Sequence, residues 1–132
     1  MSNDGLVTIA CNHSVSEAID RLETTLRAKG VTIFARIDHA AGAASVGMSL
    51  RPTEVLIFGN PKAGTPLMQD QQTIGLDLPL KMLAWQDADG KVWITYNDAT
   101  WLARRHRLGD TVGPAVEALV IALANFAKAA AQ

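Results

Sequence analysis

The residues with most chemistry to offer stand at the ends of apolar runs. Val55-Leu56-Ile57-Phe58 leads straight into Gly59-Asn60-Pro61-Lys62-Ala63-Gly64-Thr65-Pro66. A glycine-bearing turn from strand to helix presents backbone N–H groups and the positive end of a helix dipole, an environment suited to phosphate, carboxylate or sulfate. Asn60, Gly64 and Thr65 would line such a site and Lys62 would add charge. The spacing of Gly59 and Gly64 is that of a phosphate-binding P-loop, but Thr65 stands where that motif requires lysine. Nucleotide binding of that kind is therefore unsupported, and the competing reading is a rigid turn that binds nothing.

Other polar residues punctuate the remaining runs. His39 follows Asp38 at the end of an alternating segment, where a neighbouring carboxylate could tune an imidazole for general acid/base work. Lys81 interrupts Leu80-Lys81-Met82-Leu83, and Tyr96-Asn97-Asp98 closes another run. The plainer roles are a strand-end hydrogen bond for His39, a solvated position for Lys81, and a helix cap for Asp98. Cys11 and His13 are close enough to share a metal, but without a second pair the site is incomplete, so no metal is assigned. No nucleophile elbow or dinucleotide fingerprint occurs, and the sequence leaves any cofactor unknown. Arg104-Arg105-His106-Arg107 forms one basic cluster, which a helix C-terminus favours through its dipole alone.

The elements that must position these residues read as an α+β pattern. Leu6–Cys11 is a first strand. Ser14 and Glu17 make a capping box for a helix with Val15, Ala18, Ile19, Leu22 and Leu26 on one stripe, closed at Gly30. The second strand runs from Val31 to Asp38 or His39, with Val31, Ile33, Ala35 and Ile37 on one face and His39 on that parity. The Ala-, Gly- and Ser-rich stretch Ala40–Leu50 reads equally as short helix or loose crossover. Thr53–Phe58, apolar on both faces, reads as an interior strand. Thr65-Pro66 reads as an N-cap with proline at the first helical position. Leu78–Trp85 and Lys91–Tyr96 form a hairpin across Asp87-Ala88-Asp89-Gly90. Asp98 caps a helix over Ala99–Arg107, and Gly113-Pro114 opens a long final helix, apolar almost all round, that needs cover on more than one side. The expected architecture is a mixed or antiparallel five-stranded sheet with helices packed on it.

Length and composition bound the rest. A chain of 132 residues fits one domain, spanning 1–132, and is long enough to bury a core without disulfides. Apolar content is 48% and formal net charge −1, which gives no long-range field to draw in nucleic acid or an anionic membrane. One cysteine and no basic, apolar leader at the start favour a reducing, cytoplasmic setting. The most apolar stretch, Ala118–Ala127, is shorter than a membrane span.

Four stretches together carry a family resemblance: Ile37-Asp38-His39-Ala40-Ala41, Leu56 to Met68, Asp77-Leu78-Pro79-Leu80-Lys81 and Tyr96-Asn97-Asp98. The chain resembles the domain of unknown function 302 over nearly its whole length, with Trp101 where the family often has tyrosine. The resemblance implies a β-α-β-β-β-β-α core in a TATA-binding-protein-like arrangement, and often a homodimer. It implies little chemistry, but it groups His39, Gly59, Asn60, Pro61, Gly64, Thr65, Lys81, Tyr96, Asn97 and Asp98 as a recurring pattern. The first expectation is thus a homodimeric module binding a small molecule or anion beside Gly59–Thr65. The alternatives are an enzyme using His39 and Asp38, and an interaction domain presenting its last helix.

Overall fold

The computed structural model describes residues 4–132. Five strands form one open sheet in the order β1-β5-β4-β3-β2: Leu6–Cys11 (β1), Thr32–Asp38 (β2), Thr53–Gly59 (β3), Leu80–Gln86 (β4) and Val92–Asn97 (β5). Every neighbouring pair is antiparallel. The sheet is therefore antiparallel throughout, and β3 is interior, as its two apolar faces required.

Five helices complete the fold: Val15–Ala28 (α1), His39–Ser45 (α2), Pro61–Asp70 (α3), Ala99–Arg105 (α4) and Gly113–Ala131 (α5). The Ser14 hydroxyl accepts from the Glu17 N–H at 3.2 Å to start α1, and Asp98 accepts from Thr100 N–H at 3.1 Å to start α4. Ambiguity over Ala40–Leu50 resolves as α2, started by the Asp38 carboxylate, which accepts from the Ala41 N–H at 2.9 Å. The helix after Asp98 ends two residues early, at Arg105, and Arg107 takes the left-handed conformation at φ 57°.

Helices α1 and α5 lie side by side across one face of the sheet, α1 over β2, β3 and β4, and α5 over β1 and β5. The core forms between them. Leu56, Phe58, Met82, Ala84, Ile94 and Tyr96 point from the sheet into Val15, Ile19, Leu22, Leu26, Leu123 and Ala127. Phe58 meets Phe126 edge to face, with ring centroids 6.2 Å apart.

Three local expectations change. The even alternation of the second strand breaks at a bulge between Ile33 and Ala35. A bulge inserts one residue and reverses the parity after it, so Ala35 and Ile37 leave the core side and Arg36 enters it. Arg36 then joins α1 to the sheet. It donates to Glu54 at 2.9 Å, Asp20 at 2.6 Å and the Ser16 carbonyl at 3.2 Å. Burial opposes its charge, but Asp20 and Glu54 outweigh that and raise its pKa.

The second change is the start of α3. Asn60 is the cap, its side chain accepting from the Lys62 N–H at 2.9 Å with Pro61 in the first turn; Thr65 and Pro66 fall inside the helix. Both prolines suit a first turn, and the one directly after the strand prevails. The third is that α5 outruns its most apolar stretch: Asp110–Ala131 is long and apolar enough to cross a membrane by length and composition. Here it packs on α1, α4, β1 and β5.

Candidate functional site

The family-like loop does border a cavity. Phe34 is the extra residue the bulge throws out of the β2 ladder, and its ring lies over Gly59, whose missing side chain leaves room for it; a Cβ there would stand 3.4 Å from the ring and 3.5 Å from Pro79. Helix α3 supplies Ala63, Gly64, Thr65 and Met68, the segment before and into β4 supplies Leu78, Pro79 and Leu80, and α5 supplies Leu119. Together with Asn60 and Pro61 they enclose a half-open cleft of about 240 Å³ with mostly apolar walls. Drug-sized pockets run from roughly 300 to 1,000 Å³, so this cleft suits a smaller apolar group.

The start of α3 offers it little charge recognition. Pro61 has no N–H, the Lys62 N–H is held by the Asn60 side chain, and the Ala63 and Gly64 N–H groups donate to the Asn60 carbonyl at 2.9 and 3.0 Å. The donors an anion would need at this helix end are already engaged. Lys62 is exposed.

The other sequence-chosen residues scatter. Lys81 stands on the opposite sheet face to Leu80 and donates to the Asp77 carbonyl at 3.3 Å. His39 is at the far end of the sheet: Thr32 pairs with Gly59, whereas Asp38 pairs with Glu54, about 20 Å further along at the usual strand rise. It is exposed, and Asp38 turns its carboxylate to the α2 cap rather than serving as a free partner. Tyr96 is buried in the core two strands from β3, where burial first and the Asp98 charge second raise its phenol pKa. Asn97 pairs with Leu6, and Asp98 is the α4 cap. The structure thus gathers Asn60, Gly64 and Thr65 at the cleft and leaves His39, Tyr96, Asn97 and Asp98 away from it.

One polar cluster had no counterpart in the sequence reading. Asp77, just before β4, accepts from Arg105 at 3.1 Å and lies 2.5 Å from Nε2 of buried His106, whose Nδ1 is 3.0 Å from the Thr73 hydroxyl. This cluster ties the 3₁₀ turn Gln72–Leu76 to the end of α4. It explains why His106, alone of the run Arg104–Arg107, is buried, while exposed Arg105 reaches Asp77 from the surface.

With this geometry in view, comparison with known proteins places the chain. The family model for the domain of unknown function DUF302 matches residues 7–126. The chain belongs to the DUF302 family. A crystal structure of an uncharacterized conserved DUF302 protein from Bacillus stearothermophilus superposes with a TM-score of 0.83 at 19% identity, covering 96% of this chain and 98% of that one. The fold is therefore the family's. Among curated proteins, the fluoride-specific ion channel FluC 1 of Brucella suis is 50% identical over 129 residues, 98% of this chain but 51% of its own length. The fluoride-specific ion channel FluC 2 of Brucella melitensis is also 50% identical, with 48% of its length covered. This DUF302 chain spans about half the length of the curated relatives it matches.

Proposed function

We propose that this DUF302 domain is a small-molecule-binding module whose ligand places a compact apolar group in the cleft between Phe34, α3 and Leu78–Leu80. The observation carrying this reading is that a concave, apolar-walled cavity coincides with the Gly59–Thr65 segment. Asn60 and Thr65 at the rim would orient a polar end of the ligand. Of the two ligand classes the sequence suggests, the engaged N–H groups at α3 favour the small molecule over a bare anion.

The relatives' name suggests a setting: a domain acting beside a fluoride channel. Fluoride itself is a poor match for this cleft, because stripping water from a small anion needs donors that apolar walls do not supply. We propose a regulatory or accessory role in such a setting, and a homodimeric state.

Hexanoate, an apolar chain with one carboxylate, is a direct probe. Titration into ¹⁵N-labelled protein is expected to move the Gly59 and Gly64 amide signals, and Ala63→Phe, which fills the cleft, is expected to abolish the shifts. Native mass spectrometry of gently purified protein would show any retained ligand. Unmoved glycine signals together with an adduct-free mass spectrum would overturn the reading.

A further inference from the structure

The cleft and the core leave one linked set of polar groups unused. His106 sits at the C-terminal cap of α4 with its side chain only 6% exposed, yet both its ring nitrogens are engaged. Nε2 lies 2.5 Å from Oδ2 of Asp77, and Nδ1 lies 3.0 Å from the Thr73 hydroxyl. A carboxylate only accepts, so the network assigns the ring proton to Nε2 and leaves Nδ1 as an acceptor. The Thr73 hydroxyl then donates to it. Arg105 donates to both oxygens of Asp77, at 3.2 and 3.1 Å, which fixes the direction of the carboxylate. The order carboxylate, imidazole, hydroxyl is the one that activates an alcohol. The base stands within hydrogen-bond reach of the nucleophile and is itself oriented by a third group.

Any two partners would satisfy a buried histidine; what distinguishes this set is where it ends. Thr73 is exposed, on the 3₁₀ turn Gln72–Leu76, so the hydroxyl meets solvent while its base is shielded. Side chains three apart in a 3₁₀ helix eclipse one another, which puts Leu76 on the same side of the turn as Thr73. Leu76 is 75% exposed and gives an acyl chain an apolar foothold beside the hydroxyl. We infer that Thr73 is a nucleophile that takes acyl groups from small esters, with His106 as its general base and Asp77 as a positioning residue. Thr73 Oγ1 bonds to the acyl carbon as the bond from that carbon to the leaving oxygen breaks. The hydroxyl proton passes to His106 Nδ1 and from there to the leaving oxygen. Water then cleaves the acyl-threonine with the same base, releasing the carboxylic acid and restoring the hydroxyl.

None of the cleft's walls takes part, so this reading and the cleft reading fail separately. p-Nitrophenyl acetate is the probe, in a Cys11→Ser background so that the thiol does not compete. Nitrophenolate release is expected to fall at least about tenfold in Thr73→Val, which keeps the shape of the side chain, and to survive in Thr73→Ser. Peptide mass mapping of acid-quenched protein is expected to find an acetyl group on Thr73. Long-range ¹H–¹⁵N spectra are expected to show His106 protonated on Nε2, and Asp77→Asn is expected to raise the share protonated on Nδ1 and to slow release. Equal release with and without the Thr73 hydroxyl, acetyl groups on other residues only, or a His106 protonated on Nδ1 in the parent protein would overturn the inference. So would a folded Asp77→Asn as fast as its parent.

Discussion

The two faces of the sheet differ in what covers them far more than in what they are made of. On the helix side, Leu56, Phe58, Met82 and Ala84 are wholly buried beneath α1 and α5. On the other side Val55, Ile57, Leu83 and Trp85 occupy the alternate positions of the same two strands, equally apolar and only half-buried. Apolar side chains gain about 25 cal/mol for each Å² removed from water. The helix face has gained that within one chain. On the outer face Val55, Ile57, Leu83 and Trp85 are only half-buried and have gained less of it.

Substitutions can break or sharpen this contrast, and their expected effects fall in order. Phe58→Ala, under both helices, is expected to cost about 3–5 kcal/mol in urea unfolding, through lost burial and the cavity left against Phe126. Arg36→Ala comes next at about 3 kcal/mol, because it leaves buried Glu54 without its partner; a loss below about 1 kcal/mol would mean the bridge to α1 is ornamental. On the outer face, Ile37→Glu is expected to change stability by no more than about 0.5 kcal/mol. If it unfolds the chain instead, the contrast between the faces is wrong.

The smallest effect is a pH dependence on the helix side. The Tyr96 phenol has a folded pKa above its usual value near 10, through burial and Asp98. The unfolded chain therefore loses this proton first. Its contribution to stability is full below about pH 10 and is lost as pH rises toward the folded pKa. Tyr96→Phe is expected to flatten the alkaline fall in melting temperature, and an unchanged fall would assign it to other groups.

Much of the fold was legible because its signals are local. The Ser14 cap, the Asp87–Gly90 hairpin and the Asp98 cap each need only a few neighbouring residues, and each stands where expected. The hairpin is reinforced by Asp87, whose carboxylate accepts from the Trp93 indole at 2.9 Å, the main cause of its lowered pKa. The bulge at Phe34 was not legible. Ile33, Phe34, Ala35 and Ile37 are apolar on both parities, so the pattern reads the same with or without an inserted residue. The start of α3 was ambiguous for a related reason: Asn60-Pro61 and Thr65-Pro66 carry the same cap-and-proline signal.

The candidate site was legible in position but not in character. The Gly59–Thr65 segment pointed to the right end of the sheet, yet the residues that mark it in the sequence are polar. The walls are Phe34, Met68, Leu78 and Leu119, brought together from distant parts of the chain. Such convergence leaves no trace in local spacing. The Asp77–His106 pair, 29 residues apart, was hidden in the same way.

The hexanoate titration tests the central claim most directly, since Gly59 and Gly64 both line the cleft and Ala63→Phe fills it. If the cleft takes a compact apolar group, both amide signals will move in the wild type and stay still in Ala63→Phe. Signals that move alike in the two proteins, or that stay still in a wild type whose native mass spectrum holds no adduct, would contradict the account.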